Sequence, residues 1–392
     1  MKRHAIYLIA ILVLASCGKP AGEPLSLRMV RSEMSRCPDA TWLDFCEGKV
    51  SWNYTPGLEM KAFLDVYRTY GGDDIVGYVD AWYDACIEDD GHIKYYYKGD
   101  YTVDKVCPAR TLFQLYDISG KEKYRFALDS MMTRLSQHPR TSEGAFWHKT
   151  VYPHQIWLDG LYMAEPFYAE YVSRYAPDKA EGWADIVNDF TVAARHTYDP
   201  ATKLYRHAWD ESRSMFWCDP ETGQSQHCWG RALGWFCMAL VDVLEIIPEG
   251  TEGRDSLLEI LRGIADVLPS FADPESGMWY QVLDCPGRDG NYLEATCSAM
   301  FSYTLLKGVR LGYLDASLED YAREVYDGMV KTFITEDEDG LLSINQCCSV
   351  GGLGGKQMRM GDYAYYLSEP VRSNDPKGVG PFIWASLEME RR

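Results

Sequence analysis

The sequence predicts an all-α fold, an (α/α)6 barrel of six helical hairpins with short strands in the loops at one end. Two observations carry this. Six apolar segments rich in small residues recur along the chain: Gly57–Tyr67, Pro108–Tyr116, Trp157–Ala164, Gly230–Leu240, Ala295–Leu306 and Val379–Glu388. Apolar residues on nearly every side of a helical repeat mark helices buried all round. Between them lie amphipathic segments, such as Lys121–Ser136, Ala180–His196, Asp255–Ser270 and Leu318–Phe333, with apolar residues at helical spacing and charges opposite. Buried and half-buried helices in alternation give two concentric rings, each unit covering its neighbours. An α-superhelix that does not close satisfies the same pattern.

Four extended pieces punctuate the helices: Glu143–Lys149, Lys203–Trp209, Gly277–Val282 and Gly340–Asn345. Each follows a Gly- or Asp-marked turn and alternates apolar with polar residues, as a short strand or hairpin does. No Ser/Pro/Gly linker interrupts the chain after residue 26, so residues 35–392 read as a single barrel domain.

The N-terminus reads differently. Lys2-Arg3-His4 precedes an apolar run from Ala5 to Ala15 that is too short to span a bilayer, so residues 1–17 are expected to be a signal peptide. Leu14-Ala15-Ser16-Cys17 resembles the lipobox of bacterial lipoproteins, which implies cleavage before Cys17 and lipid attachment to its sulfur. Residues 18–34 are then expected to be a tether. The expected location is an exported lipoprotein, membrane-anchored in the periplasm or at the cell surface.

A net charge of −19 argues against nucleic acid as a partner, because phosphate binding needs a basic face and no run of Lys and Arg supplies one. Aromatic residues make up 14% of the chain, which suits a protein that stacks sugar rings. Eleven cysteines remain beyond Cys17, an odd number with no C-x-x-C pair, and most are expected to be buried small apolar residues. The chain carries no H-E-x-x-H motif, no metal-ligand spacing of histidines and no G-x-S-x-G elbow, so neither a metal nor a cofactor is expected. Gly351-Gly-Leu-Gly-Gly355 lacks the Lys-Ser/Thr of a phosphate loop and reads as a flexible loop over the barrel mouth.

Chemistry-bearing residues gather at the junctions that lead into the buried helices. Asp104 precedes the segment at Pro108, His148 and Lys149 lie before Asp159, His207 follows another turn, and Arg231 opens the helix from Trp229 to Trp235. If the ring closes, all of them meet at one mouth. Each has a structural reading as well. Asp159 and Asp104 are placed to cap helices, the two histidines to be structural, Arg231 to be a buried ion-pair partner, and Trp229 and Trp235 to be core.

Five stretches carry a family resemblance: Trp52–Lys61, Phe146–Tyr171 with its Trp157-Leu-Asp-Gly-Leu-Tyr-Met163 string, Trp229–Trp235, Tyr365–Pro370 and Asn374–Phe382. Over residues 35 to 390 the chain resembles the unsaturated rhamnogalacturonyl hydrolases, glycoside hydrolase family 105. The resemblance implies an (α/α)6 barrel that acts on a lyase-generated unsaturated oligosaccharide by hydrating a C4=C5 double bond. It makes Asp159 the proton donor and then the base. Asp104 is a plausible supporting carboxylate. Tyr54, His148, Lys149, Trp157, His207, Trp229, Arg231 and Trp235 would line the sugar-acid site. Protonating an enol ether near neutral pH needs a carboxylic acid that is still protonated. Burial, helped by Asp104, is expected to raise the Asp159 pKa to that end. Arg231, Lys149 and the two histidines are the expected cations for the uronate. The unsaturated glucuronyl hydrolases of family 88 share the barrel and chemistry on glycosaminoglycan fragments. A non-catalytic glycan-binding lipoprotein and an inverting glycosidase on a similar barrel are the remaining alternatives.

Overall fold

The computed structural model describes residues 22–45, 48–94, 96–97 and 99–391. The signal peptide, Cys17 and the first residues of the expected tether lie outside them. Thirteen α-helices are present among the described residues: α1 (Leu25–Arg36), α2 (Tyr54–Tyr70), α3 (Asp73–Cys86), α4 (Arg110–Ser119), α5 (Glu122–Ser136), α6 (Leu158–Tyr175), α7 (Ala180–Thr197), α8 (Gly230–Ile246), α9 (Arg254–Val267), α10 (Ala295–Arg310), α11 (Glu319–Phe333), the short α12 (Tyr363–Ser368) and α13 (Pro376–Glu390).

The six buried segments become α2, α4, α6, α8, α10 and α13. These pack in order around a ring, and α13 returns to α2, so the ring closes and the open superhelix is excluded. Small residues set how near the helices come. A Cβ on Gly57 would lie 2.6 Å from that of Pro108, which only glycine avoids where α2 meets the lead-in to α4. That lead-in is a pair of 3-10 turns, Val103–Lys105 and Cys107–Ala109, so the fourth helix starts two residues later than the apolar pattern does.

α3, α5, α7, α9 and α11 form the outer ring, each packed on the inner helix before it. The last inner helix, α13, is covered by α1. This corrects the reading of residues 18–34 as a tether, because positions 25–34 belong to the folded domain. Met29 and Val30 are fully buried, the Ser26 backbone N–H donates to Glu390 Oε1 at 3.0 Å, and the Ser32 hydroxyl accepts from the Leu342 N–H. Arg28, Arg31 and Arg36 make the segment look like a polar leader, although Arg28 and Arg36 bond the hairpin over residues 334–344.

The expected extended pieces lie at the N-terminal ends of the inner helices. β1 (Gln155–Trp157) pairs antiparallel with β2 (Ala208–Asp210), and single bridges tie Phe146 to Arg140, Tyr205 to Tyr198, and Trp279 to Ala272. β4 (Leu342–Ile344) pairs with β3 (Ile334–Glu336), and β5 (Cys347–Cys348) with β6 (Val371–Arg372). Together they build the mouth.

The opposite end is held by charge. Asp242 of α8 accepts from Arg110 of α4 at 2.7 Å, from Lys307 of α10 at 2.7 Å and from Tyr303 at 2.6 Å. Burial alone would raise the Asp242 carboxyl, but Lys307 and Arg110 hold it well below the usual range. A polar cleft of about 620 Å³ opens beside this knot, lined by Lys61, Asp65, Arg174 and Glu388 among others. Lys61 pairs with Asp65, and Arg174 with Glu170. Asp242→Ala leaves buried Arg110 without its counter-charge and Lys307 with Glu245 alone. It is expected to cost about 3–5 kcal/mol, read as a large fall in the thermal unfolding temperature with Asp242→Asn falling less.

Candidate active site

Backbone pairing places the central carboxylate. The His207 carbonyl accepts the Leu158 N–H at 3.0 Å, and the His207 N–H donates to the His227 carbonyl. This satisfies one of the orphan donors of the first turn of α6 and sets the imidazole beside Asp159. His207 Nε2 lies 3.2 Å from Asp159 Oδ2, and neither atom is aligned in a hydrogen bond, though both are buried. Asp159 does not cap α6: the capping position is Trp157, and no side chain bonds the helix there.

The charge state of Asp159 differs from the sequence-based expectation. Burial pushes its carboxyl up, but His207 and Arg231 more than reverse this and hold it below the ordinary carboxylate value. The N-terminal end of α6 favours the same ionised form. Asp159 is therefore a carboxylate in the unliganded protein, and burial does not keep it protonated.

Asp104, on the 3-10 turn before α4, is bound by Lys149 Nζ and lies 3.5 Å from His148 Nε2. It caps no helix. Lys149 is thus paired with Asp104, which balances much of the charge it would offer a sugar acid. His148 is pushed down to about 4 by burial, against the pull of Asp104, so its ring is neutral at neutral pH. It stacks on Trp157 at 4.6 Å, and Tyr152 stacks on the same indole at 4.8 Å. Of the four expected cations, Arg231 is permanently charged and has no carboxylate bonded to it among the described residues. Its Nη1 donates to the Cys348 carbonyl, its guanidinium lies 4.6 Å from the Trp229 ring, and its buried Nε has no partner.

Tyr54 stands between Asp104 and Arg231, its phenol raised well above the ordinary value by burial and then by Asp104. Its ring meets Trp235 edge-on at 6.4 Å. Trp229 and Trp235 are each 1% exposed, so neither offers an open face for stacking a sugar. They form the floor, and Trp229 also shapes the wall by contacting His207 at 4.8 Å. The Gly351–Gly355 loop does lie over the mouth. A Cβ on Gly351 would lie 2.4 Å from the Trp229 indole, and Arg359 fixes the loop by donating to the Gly354 carbonyl and the Tyr152 hydroxyl.

Two residues escaped sequence reasoning. Tyr366 on α12 places its hydroxyl 2.7 Å from His207 Nδ1 and stacks on Trp229. Glu294 precedes α10 and accepts the N–H groups of Cys297 and Cys348, which aims the Cys348 carbonyl at Arg231. An acid immediately before a buried helix was the available signal for Glu294. Tyr366 lay inside a quoted stretch but carried no role. Elsewhere, His227, Asp284 and Cys285 bring three metal-capable donors together, with Asp284 already bound to Arg206 and to the Cys228 N–H.

The neutral histidines have a pH signature. His148 and His138, both pushed to about 4 by burial, take up a proton in the unfolded chain near 6.5, before they do so in the fold. Stability is therefore expected to fall as the pH drops from about 6.5 to about 4. Replacing both with Gln flattens that limb in thermal unfolding.

The family model described as Glycosyl Hydrolase Family 88 matches residues 25–392. A solved glycoside hydrolase from family 105 of Clostridium acetobutylicum ATCC 824 superposes with a TM-score of 0.90 at 42% identity, covering 94% of this chain and 100% of its own. The unsaturated rhamnogalacturonyl hydrolase YesR of Bacillus subtilis (strain 168) is 25% identical over 300 residues, 75% of this chain and 78% of that protein. An unsaturated glucuronyl hydrolase from Bacillus sp. GL1 shares the fold, with a TM-score of 0.65 at 15% identity over 93% of this chain and 95% of its own. The chain is a glycoside hydrolase that belongs to the family 88 group and, within that group, to family 105.

Proposed function

We propose that the protein releases a 4,5-unsaturated galacturonyl unit from the non-reducing end of lyase-generated pectin or rhamnogalacturonan oligosaccharides by hydrating the C4=C5 bond. The observation that carries this reading is the buried Asp159–His207 pair, with its two facing atoms close together and unbonded at the foot of the mouth. Asp104 is neutralised by Lys149, which leaves one uncommitted carboxylate at this point. A glycosidase acting at the anomeric carbon needs two. The name of the relative YesR supports the rhamnogalacturonan substrate class.

An ionised Asp159 must gain a proton before it acts. A bound uronate supplies the reason. Its carboxylate, drawn towards Arg231, offsets the positive charge that depresses Asp159 and adds a like charge nearby, and both effects raise the Asp159 pKa. The protonated acid then delivers its proton to C4. The C4=C5 electron pair forms the new C–H bond, and the ring oxygen stabilises the cation at C5. Water adds to C5 and returns a proton to Asp159. The hemiketal so formed opens and frees the rest of the saccharide. Arg231, itself buried, would draw the uronate by charge.

Asp159→Asn is expected to cut turnover by about 10³-fold or more, followed as loss of the alkene's ultraviolet absorbance, while disaccharide binding and folding persist. Wild-type turnover in that variant removes the mechanism. Preference for unsaturated glucuronyl disaccharides from glycosaminoglycans over rhamnogalacturonan ones would reassign the substrate, and cleavage of saturated ligands would indicate an ordinary glycosidase.

We further propose that Cys17 carries a lipid anchor at the periplasmic or outer surface, on the support of the Leu14–Cys17 string. Metabolic labelling with a radioactive fatty acid should mark the full-length protein and not Cys17→Ala, which should leave the membrane fraction.

A further inference from the structure

We propose that Tyr366 is a positioning residue that enables His207 to store the proton Asp159 delivers. The inference rests on the reading of Asp159 as the proton donor. Tyr366 is fully buried, its backbone carbonyl accepts from Gln281 at 3.2 Å, and its ring stacks on Trp229 at 5.8 Å. Its hydroxyl has one hydrogen-bond partner among the described residues, His207 Nδ1 at 2.7 Å. The other ring nitrogen faces Asp159 Oδ2. The three groups thus lie in series, Asp159–His207–Tyr366, reaching from the mouth into the core.

A tyrosine hydroxyl both donates and accepts, and the ring nitrogen it meets decides which. With no stored proton, the imidazole carries its hydrogen on Nε2, 3.2 Å from the nearer Asp159 oxygen, and the Tyr366 O–H donates to Nδ1. With a stored proton, the imidazolium carries hydrogen on both nitrogens, and Nδ1–H donates to the Tyr366 oxygen. Moving the Nε2 proton to Asp159 Oδ2 leaves a neutral ring that still donates from Nδ1 to Tyr366. Asp159 then protonates C4, and the water that adds to C5 returns one proton to the pair. Protons and charge balance over the cycle, and Tyr366 never ionises. Burial, with Tyr365, Asp159 and Asp284 nearby, holds its phenol well above the ordinary value.

Phenylalanine at this position keeps the stack on Trp229 and removes the hydroxyl alone. The lost bond is neutral in the empty pair and charge-assisted in the loaded one, and charge-assisted bonds are the stronger. The variant therefore binds the stored proton less tightly. The other ionisable groups around the pair stay in place: His148 and Lys149 on the preceding turn, Asp104 before α4, Arg231 on α8, Tyr54 on α2, Tyr365 on α12 and Asp284 beside them.

The test is the pH profile of kcat/KM on an unsaturated rhamnogalacturonan disaccharide. Tyr366→Phe is expected to move the alkaline limb about one unit lower, a loss of about ten-fold on that limb, recovered on lowering the pH. Tyr363→Phe, which loses a hydroxyl bonded to the Arg288 and Asp289 carbonyls on the same short helix, keeps the wild-type limb. An unmoved limb in Tyr366→Phe overturns the proposal. Nitrogen-15 spectra of histidine-labelled wild-type protein, with His207 assigned by loss of its signals in His207→Gln, test it without the Phe variant. The expected spectrum shows Nδ1 unprotonated at high pH and both nitrogens protonated at low pH. Hydrogen on Nδ1 at high pH overturns it. Turnover by Asp159→Asn instead fails the reading beneath it.

Discussion

Asp159 loses most of its hydration at the start of α6, and an isolated carboxylate there would take up a proton. It is ionised because the start of α6, His207 and Arg231 surround it with positive potential. Much of the mouth serves that balance. Arg231 is held by the Cys348 carbonyl, which Glu294 orients through the Cys348 N–H. His207 is held by its carbonyl bond to the first turn of α6 and by Tyr366. Each anchor comes from a distant part of the sequence, so the site exists only once the ring has closed.

Ring closure is itself a matter of sterics and of buried charge. The inner helices come close because glycines on one admit side chains of the next, as Gly57 admits Pro108 and Gly234 admits Met300. At the far end Asp242 gathers Arg110 from α4 and Tyr303 and Lys307 from α10. The outer ring is completed by α1 from the start of the chain, covering α13 from its end.

The inner helices were legible because burial all round writes one composition, small and apolar on every face, and that composition survives without knowledge of neighbours. The outer helices α5, α7, α9 and α11 were legible from their stripe. α1 was not, because Arg28, Arg31 and Arg36 interrupt the short apolar pattern of Met29, Val30 and Met34. At the site, residue types were readable and charge states were not. Asp104 and Asp159 each read as an acid beside a helix start. Only the fold reveals that Lys149 neutralises the first and that His207 faces the second. Tyr366 was unreadable for a related reason: a hydroxyl gains its role from the ring nitrogen it meets, some 160 positions away in sequence.

The pairing of Asp104 with Lys149 bears directly on the reaction. Two free carboxylates across a sugar would invite attack at the anomeric carbon. With Asp104 bound by a lysine and turned towards a neutral His148, its charge is satisfied locally and does not compete for the cations around Asp159. His148 stays neutral because the Trp157 stack and the protein interior deny it water. That neutrality keeps the positive potential concentrated on the His207 and Arg231 side of Asp159, where a sugar acid would enter. On the proposed function, a uronate entering there would offset the field that ionises Asp159, so binding would load the acid, and a neutral sugar in the same place would leave it unloaded.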